Sequence, residues 1–334
     1  MVPLLDVRDL STHFFTKRGH LPAVDGISFQ IDPGETLALV GESGCGKSVT
    51  AASILRLVPD PPGQIVGGEI WFEGRDLLKL PADDMRALRG NRIGMVFQEP
   101  MTSLNPVFSI GDQIAEVIRE HQKVSRAAAY DRVADLLYLV RMPDPHRQIR
   151  EYPHRLSGGL RQRVMIAMAI ACEPALLIAD EPTTALDVTT QAQILELLDD
   201  LKQRLSMAVL LITHDLAVVA QTAQRVLIMY AGRAVEGATV KDLFDNPLHP
   251  YARGLLQSLP RPSADVDAAG RPRPLVEIAG IVPSLAALPA GCRFAPRCPH
   301  ALDACRQDDV RLRTFFEHRA AACIRVDDLR GSAT

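Results

Sequence analysis

Short apolar runs separated by turns and helical patterns frame the chain. Thr36–Val40, Ile93–Phe97, Ala175–Ala179, Ala208–Ile212 and Val226–Met229 are rich in Val, Ile and Leu and show no polar alternation. Runs of that kind predict strands of a mainly parallel sheet, buried on both faces by helices. Ile27, Phe29 and Ile31 instead alternate with Ser28 and Gln30, the pattern of a half-exposed antiparallel strand near the N-terminus. Helical patterns cover Lys47–Val58 and Ala127–Val140, and between Gly111 and Ile170 no strand pattern occurs, so a helical insertion into an α/β core is expected. After Leu259 the texture changes. Pro260, Pro262, Pro272, Pro274, Pro283 and Pro289 interrupt any long helix or strand. A boundary is expected near Tyr251–Pro260, followed by an irregular tail held by something other than a large core.

Length and charge narrow this picture. The 334 residues suffice for one large domain with an appendage, or for two ordinary domains. With 37 Lys and Arg against 40 Asp and Glu, the net charge of −3 argues against a polybasic nucleic-acid or lipid binder. The longest uninterrupted apolar stretch, Val164–Cys172, is far too short for a membrane span. Met1–Asp9 has neither a basic segment nor a long apolar core, so no signal peptide is expected and the chain should stay in the cytoplasm.

The strongest chemical signal follows the Thr36–Val40 run. Gly41-Glu42-Ser43-Gly44-Cys45-Gly46-Lys47-Ser48 fits G-x-x-x-x-G-K-[ST] between a buried strand and a helix. Glycines let backbone N–H groups wrap the α- and β-phosphates of a nucleotide, and the helix start adds positive potential. Lys47 would sit between the β- and γ-phosphates, and the Ser48 hydroxyl would ligate Mg2+. Cys45 fills a free position, and Val49, where a hydroxyl residue is frequent, can contribute only its backbone. Leu176–Ala179 delivers Asp180 and Glu181 at a strand's C-terminal end, where Asp180 would hold Mg2+ and Glu181 would polarise an attacking water. Ser157-Gly158-Gly159 opens an apolar helix as a second anion-binding turn, and His214 follows another buried strand.

Four of the six cysteines crowd into the tail as C-x5-C-x6-C-x17-C: Cys292, Cys298, Cys305 and Cys323. Disulfides are not expected in a reducing compartment. A metal centre would stabilise a poorly cored tail, and the spacing alone leaves zinc, an iron–sulfur cluster and unligated thiols open. Cys172, ending an apolar helix, reads as packed core.

These motifs in this order resemble the nucleotide-binding subunits of ABC transporters over roughly Leu5–Leu256. Gly41–Ser48 is similar to Walker A, Gln98 to the Q-loop, Leu156–Leu160 to the signature motif and Ala179–Glu181 to the end of Walker B. Ala185-Leu186-Asp187 is similar to the D-loop and His214 to the switch histidine, while Phe14 falls where the family stacks an aromatic on adenine. The signature ends in Leu160 where Gln is usual. The segments Glu99–Pro106, Ile178–Thr190, His249–Tyr251, Gly280–Pro283 and Gly291–Pro299 further resemble the dipeptide/oligopeptide importer branch.

The resemblance implies a P-loop NTPase core of the RecA-like α/β type with an N-terminal antiparallel β subdomain and a helical signature subdomain at about 99–172. It ends the ATPase domain at 256 and assigns 257–334 to a Cys-rich extension. It implies ATP held by Phe14, Gly41, Ser43, Gly44, Cys45, Gly46, Lys47, Ser48, Val49, Gln98 and, across a head-to-tail dimer, Ser157, Gly158 and Gly159. Mg2+ would be held by Ser48, Gln98 and Asp180, with Glu181 and His214 catalytic. A [4Fe–4S] cluster on the four tail cysteines is implied, with zinc as its alternative. Implied partners are a second, similar ATPase, two permease subunits and an extracytoplasmic peptide-binding protein, with the chain peripheral at the cytoplasmic face of the inner membrane. A soluble ABC ATPase of iron–sulfur assembly or nucleic-acid repair is the competing reading.

Overall fold

The computed structural model describes residues 2–17, 19–99, 103–184, 186–259 and 277–330. Pro100, Met101 and Thr102, Ala185 of the D-loop resemblance, and the tail prolines Pro260, Pro262, Pro272 and Pro274 lie outside the described residues.

The strands, in chain order, are β1 (Leu5–Thr16), β2 (Gly19–Ile31), β3 (Thr36–Val40), β4 (Gly63–Phe72), β5 (Arg75–Asp76), β6 (Ile93–Val96), β7 (Leu176–Asp180), β8 (Ala208–Thr213), β9 (Arg225–Tyr230), β10 (Arg233–Thr239), β11 (Arg313–Phe316) and β12 (Arg319–Ala321). They form a four-stranded sheet in the order β2-β1-β4-β5 and an eight-stranded sheet in the order β11-β12-β10-β9-β3-β8-β7-β6. The small sheet is antiparallel throughout. In the large one β9, β3, β8, β7 and β6 run parallel, and β10, β12 and β11 join antiparallel.

Burial on both faces explains the unbroken apolar runs. Leu37 and Leu39 of β3 pack beneath the small sheet with Leu5, Ile27 and Phe72, whereas Ala38 and Val40 face Val219, Tyr230 and Tyr251 on the other side. In β7, Leu176 and Ile178 join the first of these clusters, while Leu177 and Ala179 pack against the helices that follow β6. Those helices include Ile110–Gln122, Arg126–Leu139 and Gly158–Ala169. Ser109 and Ser125 cap the first two by accepting the backbone N–H of Asp112 and Ala128. Ile110, Ile114 and Ile118, like Ala129, Val133 and Leu137, recur at four-residue spacing and supply the buried stripe.

The helix after the phosphate loop spans Lys47–Ile54, ending four residues before the Val58 expected from the sequence. The larger difference is the tail. Its expected irregularity holds for 277–294, but β12 pairs with β10 through Glu236↔Ala321 and Gly237↔Ala320, and β11 extends the same sheet. Phe294 packs fully buried against Tyr230 and Tyr251, with ring centroids 5.3 Å from each, so the extension shares the core of the nucleotide-binding half. Among the described residues no helix is long and apolar enough to cross a membrane.

Candidate nucleotide site

The site lies at the C-terminal edge of the parallel strands, where open α/β sheets bind ligands. The 41–48 loop leaves β3 and enters the helix Lys47–Ile54. Two glycines there are fixed by close approach. A Cβ on Gly41 would stand 2.3 Å from the Met229 carbonyl oxygen, and one on Gly46, whose φ is +106°, 2.2 Å from that of Ala23. Lys47 is buried, with Nζ donating to the carbonyls of Gly41 at 2.8 Å and Glu42 at 3.2 Å. Cys45 is buried behind the loop, and burial raises its thiol pKa, as expected of a packed rather than reactive group. Val49 is half-buried and packs into the core beneath the small sheet.

β7 brings Asp180 beside the loop. Ser48 Oγ donates to Asp180 Oδ1 at 3.1 Å, and burial raises the pKa of this carboxyl, which is only 4% exposed. A hydroxyl and a carboxylate side by side, with the carboxylate short of positive charge, form a hard oxygen donor pair suited to Mg2+. Glu181 follows with φ of +47°. Its carboxylate accepts from Gln98 Nε2 at 3.2 Å and Thr184 Oγ1 at 2.8 Å, and lies 3.6 Å from Nδ1 of His214, which is itself well exposed. Strands β6, β7 and β8 end next to one another in the sheet, which is why Gln98, Glu181 and His214 converge.

Ser157, Gly158 and Gly159 stand elsewhere. Ser157 caps the helix Gly158–Ala169, accepting from Leu160 N–H at 3.4 Å, and the two glycines face Leu186 and Thr190, not the 41–48 loop. Ser157 and Gly158 are exposed, leaving a helix start open to a second molecule. Asp187 is spent locally, capping the helix Val188–Leu205 by accepting from Thr190 N–H at 3.0 Å and Thr190 Oγ1 at 2.7 Å. The Phe14 ring packs against Gly63, whose Cβ would stand 2.8 Å from it. Its neighbour Phe15 is 53% exposed and stacks on His20 at 5.2 Å, which makes it the more open aromatic.

The metal expectation in the tail is corrected. Cys292, Cys298, Cys305 and Cys323 line one apolar cavity of about 20 Å3 with Phe294 and Leu329. That is space for about one water. Among the described residues no group of three or more His, Cys, Asp or Glu side chains could hold a metal ion. Burial raises the thiol pKa of Cys292, Cys298 and Cys323, the last to about 11, in keeping with their apolar surroundings. Neither an iron–sulfur cluster nor zinc is supported.

Sequence reasoning missed three residues around the loop. Glu42 donates its N–H to the Tyr251 hydroxyl at 3.1 Å and pairs through its carboxylate with Arg297 at 2.9 Å. Glu42 occupies a free position of the loop motif, and its partners lie more than 200 residues away, so spacing carried no signal.

Comparison with known proteins agrees with this geometry. The ABC transporter family matches residues 24–184, and the oligopeptide/dipeptide transporter C-terminal region matches 235–305. A probable peptide ABC transporter ATP-binding protein of Sinorhizobium fredii is 55% identical, covering 98% of this chain and 96% of its own. An oligopeptide transport ATP-binding protein of Bacillus subtilis is 51% identical over 98% of both chains. A dipeptide transport ATP-binding protein of Haemophilus influenzae is 51% identical over 92% of both. Among solved structures, a dimeric ATP-binding cassette in a post-hydrolysis state with ADP and Pi has a TM-score of 0.64 at 25% identity, covering 71% of this chain and 98% of its own.

Proposed function

This chain belongs to the ABC transporter family as an ATP-binding subunit of a peptide importer, and we propose that it drives uptake by binding and hydrolysing ATP between two head-to-tail cassettes. Its relatives are peptide-transport proteins, so the competing readings in iron–sulfur assembly and nucleic-acid repair are not supported. The observation that carries the proposal is the convergence of Ser48, Asp180, Gln98, Glu181 and His214 around the mouth of the 41–48 loop.

The 41–48 loop presents its N–H groups to the α- and β-phosphates. Lys47 exchanges the Gly41 and Glu42 carbonyls for phosphate oxygens, a stronger pairing because both partners are charged. Ser48 and Asp180, with Gln98, would hold Mg2+, which supplies charge neutralisation at the β- and γ-phosphates. Glu181, already accepting from Gln98 and Thr184, orients a water for attack and takes its proton. His214 stands at the same carboxylate and would face the γ-phosphate from there.

Ser157–Gly159 supplies the opposite wall of a second subunit's site. The exposed helix start of one chain then caps the triphosphate held by its partner, which fits its distance from its own loop. The second cassette is a similar but distinct chain, and two permease subunits and a peptide-binding protein complete the system at the cytoplasmic face of the membrane. Apolar side chains after β6 support a permease contact there: Phe97, next to Gln98, is 44% exposed, and Phe108 is 51% exposed. Dipeptides or short oligopeptides are the proposed cargo.

Affinity isolation of the chain from membranes of its own cell tests the assembly. Two hydrophobic permeases and a second ATPase should co-elute in equal amounts. Recovery of the chain alone, or with nucleic acid, contradicts it.

A further inference from the structure

The C-terminal extension touches the phosphate loop directly through Arg297 and braces its surroundings through Arg293. Arg297, whose side chain is only 6% exposed, directs Nη1 to both oxygens of Glu42, at 2.9 and 3.2 Å. The rest of the guanidinium is fixed by the extension itself: Nη2 donates to the Ile278 carbonyl at 3.0 Å and Nε to that of Ala279 at 3.1 Å. It also lies over the Tyr230 ring, 5.8 Å from its centroid. Arg293 holds the other side of the loop less directly. It donates to the Ala231 carbonyl and pairs with Asp25, and the adjacent Gly232 N–H donates to the Cys45 carbonyl at 2.9 Å.

Glu42 is an electrostatic liability where it stands. It is the second residue of a loop whose ligand is a polyanion, and a free carboxylate there would oppose the phosphates. We propose that Arg297 is a positioning residue for nucleotide binding: reaching out of the C-terminal extension, it neutralises the Glu42 carboxylate, so that no unpaired negative charge stands on the loop that receives the triphosphate. The planar, extension-anchored guanidinium suits this task, because its fork is fixed before the nucleotide arrives. The extension thereby becomes part of the nucleotide site while contributing no atom to it. The proposal rests on the reading of residues 41–48 as the nucleotide loop.

Calorimetric titration of the full chain with MgATP tests it, alongside thermal unfolding of each variant. Arg297→Gln should weaken binding about tenfold, the scale of one charged hydrogen-bonded pair, and adding Glu42→Gln should recover most of that loss. In the assembled transporter the same change should appear in KM for ATP, with kcat within about twofold. If Arg297→Gln does not fold, Arg297→Lys decides. It keeps the charge and gives up the Ile278 and Ala279 contacts, and should bind within about threefold of the native chain. Equal affinity in Arg297→Gln and the native chain overturns the proposal. So does an undiminished loss in the Glu42→Gln/Arg297→Gln double variant, or a tenfold loss in Arg297→Lys. If the native chain itself fails to bind MgATP, the functional reading falls with it. If the native chain binds and Lys47→Ala does not, a null result at Arg297 removes this inference alone.

Discussion

In the proposed function, two side chains divide the work of the site between holding and cutting. Lys47 is buried against carbonyls of its own loop and is the only charge that motif spacing places among the phosphates. Lys47→Ala should cost about ten- to a hundredfold in MgATP affinity, the value of one or two charged hydrogen bonds, read by the same titration. Glu181 makes no bond to the loop in the structure, yet stands between Gln98, Thr184 and His214. Glu181→Gln should therefore leave MgATP affinity within about threefold while slowing turnover at least about a hundredfold, the usual contribution of a general base. A single-turnover assay separates the two effects. These residues were legible because each lies at a fixed offset from a buried strand. Glu42 and Arg297 were not, since neither spacing nor composition encodes a pair formed across 255 positions.

At the level of elements, the strands buried on both faces were legible, as was the alternating end of β2 at Ile27–Ile31, and the others were not. The runs in β3, β6, β7, β8 and β9 are apolar without alternation, and tertiary context has little left to decide. β4 escaped because Gly67 and Gly68 break its alternation, at the point where its register with β1 shifts. β10 hides a different surprise. Glu236 within it is fully buried, its carboxylate accepting the N–H groups of Leu248 and His249 at 2.8 and 2.7 Å. Burial pushes its pKa from 4.5 up to about 7. A carboxyl raised on folding contributes stability that is full below about pH 4.5 and is lost as pH rises through about 7. The stability of the native chain relative to Glu236→Gln should therefore fall by about 3 kcal/mol between acid and alkaline pH. Denaturant titrations near pH 4 and pH 9 (roughly half a unit below the unfolded value and two units above the folded one) measure it, and a constant difference contradicts it. His249, buried and held down to about 3 by that burial, cancels in the comparison.

For the whole molecule, the tail is where sequence and structure part most clearly. Its prolines and cysteines suggested a loose segment stapled by metal. The structure instead adds β11 and β12 to the main sheet, buries Phe294 between Tyr230 and Tyr251, and sets Arg297 against Glu42 of the phosphate loop. The short strands β11 and β12 carry little periodicity; β11 pairs with β12, and β12 is fixed by β10, a partner more than 80 residues earlier that no local pattern reveals. In the proposed function the near-neutral charge also acquires a reason, since the nucleotide would need positive potential only at two helix starts. The account stands or falls on the coupling of this site to transport. The direct measurement is uptake of a labelled dipeptide by vesicles reconstituted with both ATPases, both permeases and the peptide-binding protein, with ATP enclosed on the cytoplasmic side. Uptake should require ATP and drop to background with Glu181→Gln in this chain. Uptake that proceeds at the native rate with that variant, or without ATP, would contradict the account.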